Sequence, residues 1–369
     1  MKLLVVDHNA LEPANRVLYK KIVELGGIEL RLVVPAKWFN TFQTIKFDPP
    51  TEKLDFELFS SKVLFSGRTH RLIYRSLHRH IKEFRPDVFY IHSEPENFAA
   101  FEAASLTSSS TKLVFYTARN IDHIQVGYPY KLSGLHQWIE RFVLPRASHG
   151  IACNNTARTL FSAHGFPHIS VIPLAVDTEL FQPRGVQKED GTFVIGYVGR
   201  LERQKGVDLL LQVLTQLPDR CVARIVGDGS ELQSLKRLAC SLGISGRVEF
   251  ISSLDRISLP GELARFDILV LPSRSTPHWK EQFGRVLIES MACGVPVVGS
   301  DSGEIPHVIG DAGLIFKEES LDGLRLGCER LLMNGQLRGD LSRRGRERVE
   351  RMYSLEAVAT LHHKLFTSL

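Results

Sequence analysis

The sequence of 369 residues contains only five cysteines, an odd number, and none lies closer than 19 positions to the next. This spacing offers no paired-cysteine zinc motif and does not suggest a disulfide framework. We therefore expect reduced, mostly buried thiols at these positions: Cys153, Cys221, Cys240, Cys293 and Cys328.

Long apolar runs are also missing. No stretch of about 18 apolar residues occurs, so the sequence predicts no membrane-spanning helix. The first apolar run, LLVV, stops at Asp7, whereas a signal peptide needs roughly 7–15 apolar residues. We interpret this run as a first strand and expect a cytoplasmic protein. The net charge of +5 is modest and comes without a basic tail, which gives no indication of nucleic-acid binding.

The sequence does contain a series of short apolar runs separated by helix-length segments. The runs are continuous rather than alternating, which is typical of parallel strands covered on both faces. In the first half they are LLVV near Met1, LRLVV at 30–34, DVFYI at 87–91, KLVFY at 112–116, GIAC at 150–153 and ISVIP at 169–173. In the second half they are FVIGYVG at 193–199, VARIVG at 222–227, RVEFI at 247–251, DILVLPS at 267–273 and VPVVGS at 295–300.

A linker separates the two series. Residues 180–191, LFQPRGVQKEDG, combine proline, two glycines and four charged side chains. The length also favours more than one domain. We predict an α/β fold of two tandem Rossmann-like domains, at 1–180 and 193–353, with the linker at 181–192 and a ligand site in the cleft where the two parallel sheets face each other.

Two carboxylates mark the first candidate site. In KEQFGRVLIESMACGVPVV, which starts at Lys280, seven residues separate Glu281 from Glu289. If a helix begins near Gly284, Glu281 lies in the preceding loop, Glu289 lies in the second turn, and backbone N–H groups remain free between them. Carboxylates accept hydrogen bonds from vicinal hydroxyls, and a helix start favours an anion. We therefore predict that both acids serve one ligand that carries hydroxyls and an anionic group.

Two cations follow the strand FVIGYVG. Gly199 ends this strand and Arg200 follows it, while Lys205 and Gly206 come after a short loop. An arginine fork and a lysine point charge beside glycines suit a diphosphate, whereas a merely charged loop would not explain the glycines. We predict an anion site here. The later VGDGSELQSL partly imitates a dinucleotide fingerprint, but Leu232 stands where the third glycine belongs, so we interpret it as an ordinary tight βα turn.

Basic and histidine residues are frequent in the first half. Cations at three- and four-residue spacing over residues 68–82, opposite an apolar stripe, predict a basic amphipathic helix; its face is either simply solvated or binds anionic lipid or a phosphorylated acceptor. The pair His164 and His168 has Gly165 and Pro167 between its members, which argues against a shared helix face and a metal site.

Taken together, Gly199–Arg200 with Lys205–Gly206, and Glu281 followed by Glu289 and SMACGVPVV, resemble the retaining glycosyltransferases of sequence family four. The passage IPLAVDTELFQP at 172–183 is similar to that family's entry into its linker. The resemblance implies the glycosyltransferase B-type fold of two facing Rossmann-like domains, with a C-terminal helix, here 354–369, that packs back on the first domain.

The resemblance also implies roles for individual residues. Arg200 and Lys205, beside Gly199, would bind the donor diphosphate, and Glu289 the ribose. Glu281 would act on the transferred sugar, and the segment after it contributes donor contacts through Gln282, Phe283 and Gly284. The catalytic set would be Arg200, Lys205 and Glu281, without a metal or other cofactor.

The first domain departs from the family's pattern. HNALEPANR replaces the glycine pair expected after the first strand, and FYTARNIDH stands where many members place a histidine. Arg119, Asn120 and His123 are therefore candidates for the acceptor side. Glu94, in HSEPENF after another strand end, is a further candidate, with a loop charge as the alternative.

The expected function is transfer of a hexose-type sugar from a nucleoside diphosphate sugar, with retention and without a metal, to a sugar, lipid-linked or small-molecule acceptor in polysaccharide, glycolipid or other glycoconjugate synthesis. The protein would be cytoplasmic, with peripheral contact to the anionic inner face of the membrane if the basic face binds lipid. A non-catalytic sugar-nucleotide-binding protein is the first alternative. A nicotinamide-dependent oxidoreductase is the second, although neither domain has its full glycine fingerprint.

Overall fold

The computed structural model describes residues 1–39, 44–50, 53–128, 130, 132–185 and 191–369. Part of the predicted linker, 186–190, lies outside the described residues. The chain forms two compact units, Met1–Pro173 with Leu355–Leu369, and Leu174–Ser354. Residues 174–180, assigned to the first domain by sequence, thus belong to the second unit, where the Val176 N–H donates to the Tyr353 carbonyl at 2.8 Å.

The first unit is built on a parallel sheet. In chain order its strands are β1 (Lys2–Val6), β2 (Glu29–Pro35), β3 (Lys37–Phe39), β4 (Thr44–Lys46), β5 (Glu57–Ser61), β6 (Val63–Leu64), β7 (Ile73–Tyr74), β8 (Val88–Ile91), β9 (Lys112–Thr117), β10 (His149–Ala152) and β11 (Ile169–Val171). Seven of them form the sheet in the order β11-β10-β9-β8-β1-β2-β5, with parallel pairing throughout. The other four form two small antiparallel pairs, β3 with β4 and β6 with β7.

Helices cover this sheet. They are α1 (Pro13–Glu24), α2 (Leu77–Phe84), α3 (Phe98–Leu106), α4 (His123–Val126), α5 (Ser133–Val143) and α6 (Asn155–Ala163). The central strands are buried along their length, β8 being one example, because neighbours cover both of their faces. The predicted strand runs of this half are therefore confirmed. Strand β5 was not predicted.

The basic helix predicted over residues 68–82 is wrong. Thr69–Arg71 form a 3₁₀ turn, Ile73–Tyr74 form strand β7, and α-helix begins only at Leu77. The reason is a long-range pairing, in which Tyr74 is opposite Val63 and its backbone N–H donates to the Glu102 carboxylate at 2.8 Å. Burial of the Tyr74 side chain outweighs the local helical periodicity.

The second unit also consists of a parallel sheet covered by helices. Its strands are β12 (Phe193–Val198), β13 (Cys221–Val226), β14 (Val248–Ile251), β15 (Ile268–Leu271), β16 (Val297–Ser300) and β17 (Gly313–Phe316). Its helices are α7 (Val207–Leu214), α8 (Leu232–Ser241), α9 (Leu259–Leu263), α10 (Arg285–Ala292), α11 (Ile305–Ile309), α12 (Leu321–Met333) and α13 (Gly335–Met352). The strands pair in parallel in the order β14-β13-β12-β15-β16-β17, which is the Rossmann order. The two Rossmann-like units are thus confirmed, although β17 was not predicted.

The last helix, α14 (Leu355–Ser368), belongs to the first unit. It lies along α1, where Glu356 is 3.1 Å from Lys21 and the His363 ring is 2.7 Å from the Gly26 carbonyl oxygen. Phe366 packs against the ring of Tyr90 in the central strand β8.

None of the five cysteines, all of which lie within the described residues, forms a disulfide, and Cys240 alone among them is exposed. Within the part of the chain that the structure describes, every helix is too short or too polar to cross a membrane.

Candidate functional site

The candidate site of the second unit lies where its strand order reverses, between β12 and β15. The loop after β12 carries Arg200 and Lys205, and the loop after β15 carries Glu281. In open parallel sheets the carboxyl ends of the strands at such a reversal form the ligand crevice. The topology therefore brings the two predicted motifs to the same place.

Close backbone packing joins the two loops. Gly206 has φ +68°, and a Cβ added there would lie 2.0 Å from the Pro272 carbonyl oxygen. The Arg274 N–H donates to the Gln204 carbonyl at 2.9 Å, and the Arg274 guanidinium pairs with Asp208 at 2.7 Å. Glycine at position 206 is thus required by both conformation and proximity.

Glu281 stands at the centre of the site. Its Oε2 lies 2.7 Å from the Lys205 ammonium and accepts a 2.8 Å hydrogen bond from the Ser273 hydroxyl. The Glu281 residue is only 7% exposed, so this is a buried ion pair. The ring of Trp279 lies against the same ammonium, 4.7 Å away. Sequence reasoning found Glu281 and Lys205 separately but missed their pairing and both neighbours, Ser273 and Trp279.

Strand β16 and the segment after it hydrogen-bond to the backbone at Ser273 and Glu281. The Ser300 hydroxyl donates to the Ser273 carbonyl at 2.5 Å, and the Glu304 N–H donates to the Glu281 carbonyl at 3.0 Å. These bonds fix the backbone on both sides of the buried carboxylate. No sequence periodicity signals them, because Ser300 comes from the next strand and Glu304 from the start of helix α11.

Arg200 is placed differently from Lys205. Its side chain is 67% exposed and pairs with Glu202 at 3.0 Å. The Tyr197 hydroxyl donates to the Arg200 carbonyl at 2.9 Å. Burial raises the pKa of Tyr197, the Glu281 charge raises it further and the Arg200 charge opposes this. The structure therefore brings Lys205 and Glu281 into contact, and Arg200 lies on the same loop as Lys205 with its side chain exposed.

Helix α10 begins where the sequence predicted. Gly284 is its N-cap residue, Glu281 lies in the loop before it, and Glu289 lies in its second turn. Phe283 is buried and meets the ring of Tyr353 edge to face, whereas Gln282 is exposed. The first-turn N–H groups of a helix have no partner within the helix, so this end of α10 offers donors to an anion.

The environment of Glu289 differs from that of Glu281. Burial raises the pKa of Glu289, and the charges of Arg285 and Arg256 partly offset that effect. Arg285 lies one turn earlier on α10 and was visible in the sequence. Arg256 comes from the loop after β14, and sequence reasoning did not find it.

The glycine-rich turn after β13 is the tight βα turn that was preferred to a dinucleotide site. A Cβ on Gly227 would lie 1.9 Å from the Gly199 carbonyl oxygen, so glycine permits close backbone contact with the neighbouring loop. The Asp228 carboxylate accepts the Ser253 N–H at 2.9 Å, and this bond lowers the pKa of Asp228. The turn supports the loop that carries Arg200.

In the first unit, a buried polar cluster follows β8 and β9. Arg119 donates two hydrogen bonds to Glu140, at 2.7 and 2.9 Å, and lies 3.8 Å from Glu96. The Tyr128 hydroxyl donates to the same Glu140 carboxylate at 2.5 Å, and His123 lies 3.7 Å from Glu96. Arg119 is thus engaged as a buried counter-ion.

Glu94 adjoins this cluster. Its Oε1 accepts the Ala118 N–H at 2.7 Å, while burial, followed by the Glu96 charge, raises the pKa of Glu94 to about 8. The structure therefore brings Glu94, Arg119 and His123 together, and Asn120, which is buried, follows Arg119 directly. Sequence reasoning missed Glu96 and Glu140. Glu96 could have been found, since it comes two residues after Glu94. Glu140 lies on α5, and no sequence motif near it indicates a contact with Arg119.

The segment HNALEPANR after β1 forms a 3₁₀ turn at Asn9–Leu11. Asp7 anchors it by accepting the Asn9 N–H at 2.9 Å and the Tyr19 hydroxyl at 2.7 Å. Burial lowers the pKa of His8 to about 4. His164, from the histidine pair noted above, lies 3.0 Å from Asp122.

Two family models match the chain. The model described as Glycosyltransferase Family 4 matches residues 46–180, and the model described as Glycosyl transferases group 1 matches residues 179–348. A D-inositol 3-phosphate glycosyltransferase of Corynebacterium jeikeium is 31% identical over 223 residues, which cover 54% of this chain and 52% of that protein. The chain thus spans about half the length of the curated relatives it matches.

Solved structures resemble the whole fold. The HepE protein of Anabaena in complex with UDP has a TM-score of 0.74 at 19% identity, and both chains are fully covered. Sucrose-phosphate synthase of Thermosynechococcus elongatus has a TM-score of 0.73 at 17% identity, again with full coverage of both chains. At these identities the similarity shows the fold alone.

Proposed function

The chain belongs to the group 1 and family 4 glycosyltransferases, and from that premise we propose that it transfers a hexose-type sugar from a nucleoside diphosphate sugar to an acceptor, with retention of the anomeric configuration. The observation that supports this most directly is the buried Lys205–Glu281–Ser273 cluster beside the exposed Arg200. The family assignment removes the oxidoreductase alternative.

The donor site is proposed from the chemistry of its side chains. Arg200 and Lys205 bind the diphosphate, because an exposed guanidinium and an ammonium with three donors, one of them used by Glu281, can bind phosphate oxygens. Glu281 binds hydroxyls of the transferred sugar. Glu289 binds the ribose, and the start of α10 adds backbone donors.

The reaction is proposed to depend on charge stabilisation. The bond between the anomeric carbon and the diphosphate oxygen breaks, a bond to the acceptor oxygen forms on the same face, and the departing phosphate oxygen takes the acceptor's proton. Arg200 and Lys205 stabilise the negative charge that develops on the diphosphate. Preorganised groups of this kind contribute about 2.7–4 kcal/mol each. The two cations supply this stabilisation without a metal cofactor.

The acceptor side is proposed to involve Glu94, Asn120 and His123. Arg119 is assigned a positioning role, because its guanidinium is held by Glu140. The Corynebacterium relative is named for D-inositol 3-phosphate, and HepE was crystallised with UDP. These names support a hydroxyl-bearing acceptor and a nucleoside diphosphate donor as classes, in synthesis of a polysaccharide, glycolipid or other glycoconjugate.

A thermal-shift panel of nucleoside diphosphate sugars tests the proposal. A ligand that binds the native state raises its stability by RT ln(1 + [L]/Kd), or about 2.7 kcal/mol at 100 times Kd. We expect one donor to raise the unfolding temperature and then to be hydrolysed slowly without an acceptor. If no member of the panel shifts the transition, the proposal is wrong. Binding without any turnover would instead identify a sugar-nucleotide-binding protein.

A further inference from the structure

An apolar groove lies on the first unit between helices α3 and α5. Its volume is about 600 Å³. Most of its lining is hydrocarbon or aromatic, with Glu102, Ser105 and His78 as polar members; the main apolar residues are Ile73, Phe98, Phe101, Leu106, Leu135 and Trp138. None of these residues belongs to the glycosyl-transfer site proposed above.

The groove continues into an exposed apolar ridge on α5. Trp138 is 52% exposed and Leu135 is 39% exposed. Their three-residue spacing places both on one face of the helix. Phe101 and Phe142 pack against Trp138, with ring centroids 5.5 and 5.8 Å away, and so hold the indole in place. The Trp138 indole is therefore packed against two rings, although about half of it is exposed to water.

Basic residues occur next to this apolar surface in the chain and on helix α5. The Arg146 guanidinium lies 3.7 Å from the centroid of the Phe142 ring, and Arg141 is exposed one turn after Trp138. Residues 67–82, which supply Ile73 and His78 to the groove, contain five arginines and lysines and no carboxylate. Residues 132–149 contain a single carboxylate, Glu140, which is buried against Arg119.

The carboxylate in the groove offsets only part of this charge. Burial raises the pKa of Glu102 to about 7, and Glu102 accepts the Tyr74 N–H. The surface therefore combines a hydrocarbon groove, an exposed tryptophan and a cationic rim. A second copy would bring two cationic rims together, which argues against self-association through this face. Apolar and tryptophan side chains beside basic residues suit the interface of an anionic bilayer.

We propose that this surface, the α3–α5 face, docks on a bilayer that contains anionic phospholipid, with Leu135 and Trp138 inserted among the acyl chains and Arg141 and Arg146 against the headgroups. The predicted helix over residues 68–82 does not exist, but this basic segment supplies Ile73 and His78 to the groove. The inference does not depend on glycosyl transfer, because vesicle binding needs no nucleotide.

Sedimentation with vesicles tests the proposal. We expect the protein to pellet at low salt with vesicles of phosphatidylcholine and phosphatidylglycerol, and to stay in solution with phosphatidylcholine alone. A variant with Arg141→Glu and Arg146→Glu should bind at least about 25-fold more weakly, since each basic residue near an anionic surface contributes about fivefold. A variant with Leu135→Ser and Trp138→Ser should lose at least about tenfold.

Matched controls come from the second unit. Ile257 is 76% exposed and Arg237 is exposed, so Ile257→Ser and Arg237→Glu should leave vesicle binding unchanged. Unfolding curves should show that all four variants fold. Brominated acyl chains should quench the fluorescence of the wild-type protein, and Trp138→Phe should remove most of that quenching.

Three results would overturn the proposal. The first is wild-type protein that never pellets with anionic vesicles at low salt. The second is vesicle binding that the Leu135→Ser, Trp138→Ser variant retains in full. The third is a dimer in analytical ultracentrifugation that Trp138→Ser converts to a monomer, which would make a second copy the occupant of the face.

Discussion

Arg200 and Lys205 are both assigned to the diphosphate, yet the structure predicts that their removal has different effects on stability. The side chain of Arg200 is 67% exposed and pairs with Glu202, an interaction worth about 0–1 kcal/mol. Lys205 pairs with Glu281, which is 7% exposed, and loss of one partner from a buried pair costs about 3–5 kcal/mol. Arg200→Ala should therefore leave the free energy of unfolding almost unchanged, whereas Lys205→Ala should lower it by about 3 kcal/mol.

Both variants should nevertheless lose turnover by about 100-fold or more, because each removes charge stabilisation of the leaving diphosphate. Urea unfolding followed by circular dichroism measures the stability, and initial rates with the donor identified by thermal shift measure kcat/KM. Arg203→Ala is the matched control, since Arg203 is an exposed cation of the same loop and should affect neither quantity. Unchanged turnover in a folded Arg200→Ala variant, or unchanged stability in Lys205→Ala, would refute the reasoning.

Three further predictions follow from the same contacts. Glu289→Ala should weaken binding of the free nucleoside diphosphate as well as of the donor, whereas Glu281→Ala should chiefly weaken binding of the donor. Titration calorimetry measures both affinities. If the two variants lose equal affinity for the free nucleotide, the separate roles assigned to the two acids are wrong. Because the pKa of Glu94 is raised to about 8, its contribution to stability is present below its ordinary value of 4.5 and is lost as pH rises toward 8. Glu94→Gln should thus reduce the dependence of the free energy of unfolding on pH between 4.5 and 8. An unchanged slope in that range would contradict the raised pKa of Glu94. Gly206→Ala should destabilise the fold by more than about 1 kcal/mol in urea unfolding, since its Cβ would meet the Pro272 carbonyl; an unaltered midpoint would show that the loops do not pack as described.

The buried strands could be predicted because their signal is local. Strands such as β8 and β15 are apolar at every position, and a strand covered on both faces needs no other information. Strands β5 and β17 lie at the edges of their sheets and are only partly buried, so their sequences carry polar residues or exposed side chains. Strand β5, ELFSS, has only two apolar residues, and β17, GLIF, offers a run of only three, which is too short to separate a strand from a loop.

The failed helix over residues 68–82 shows the opposite case. Its cations have helical spacing, and the helix α2 does begin at Leu77. The N-terminal part instead forms β7, which is paired with β6, because a partner elsewhere in the chain buries Tyr74. The spacing of apolar and charged residues describes one segment by itself, and it contains no information about a strand elsewhere in the chain that pairs with that segment.

The candidate donor site was partly predictable, because part of its signal is local in the sequence. Glu281, Gly284 and Glu289 could be placed on a loop and a helix start because strand, loop and helix follow one another in the sequence. Lys205 and Glu281 are 76 positions apart, and no local pattern joins them. Their contact arises from the strand order, which places the ends of β12 and β15 side by side.

That contact changes how the lysine is understood. From sequence, Lys205 is one of two cations that follow β12; in the structure it also pairs with the buried carboxylate of Glu281. A diphosphate that binds Lys205 competes with Glu281 for the same ammonium unless the two share its donors. The Ser273 hydroxyl donates to the same Glu281 oxygen at 2.8 Å, so the carboxylate keeps this partner if the ammonium donates to phosphate instead. Arg200 pairs with Glu202 at the surface, and we therefore expect its removal to lower turnover without the loss of stability expected for Lys205.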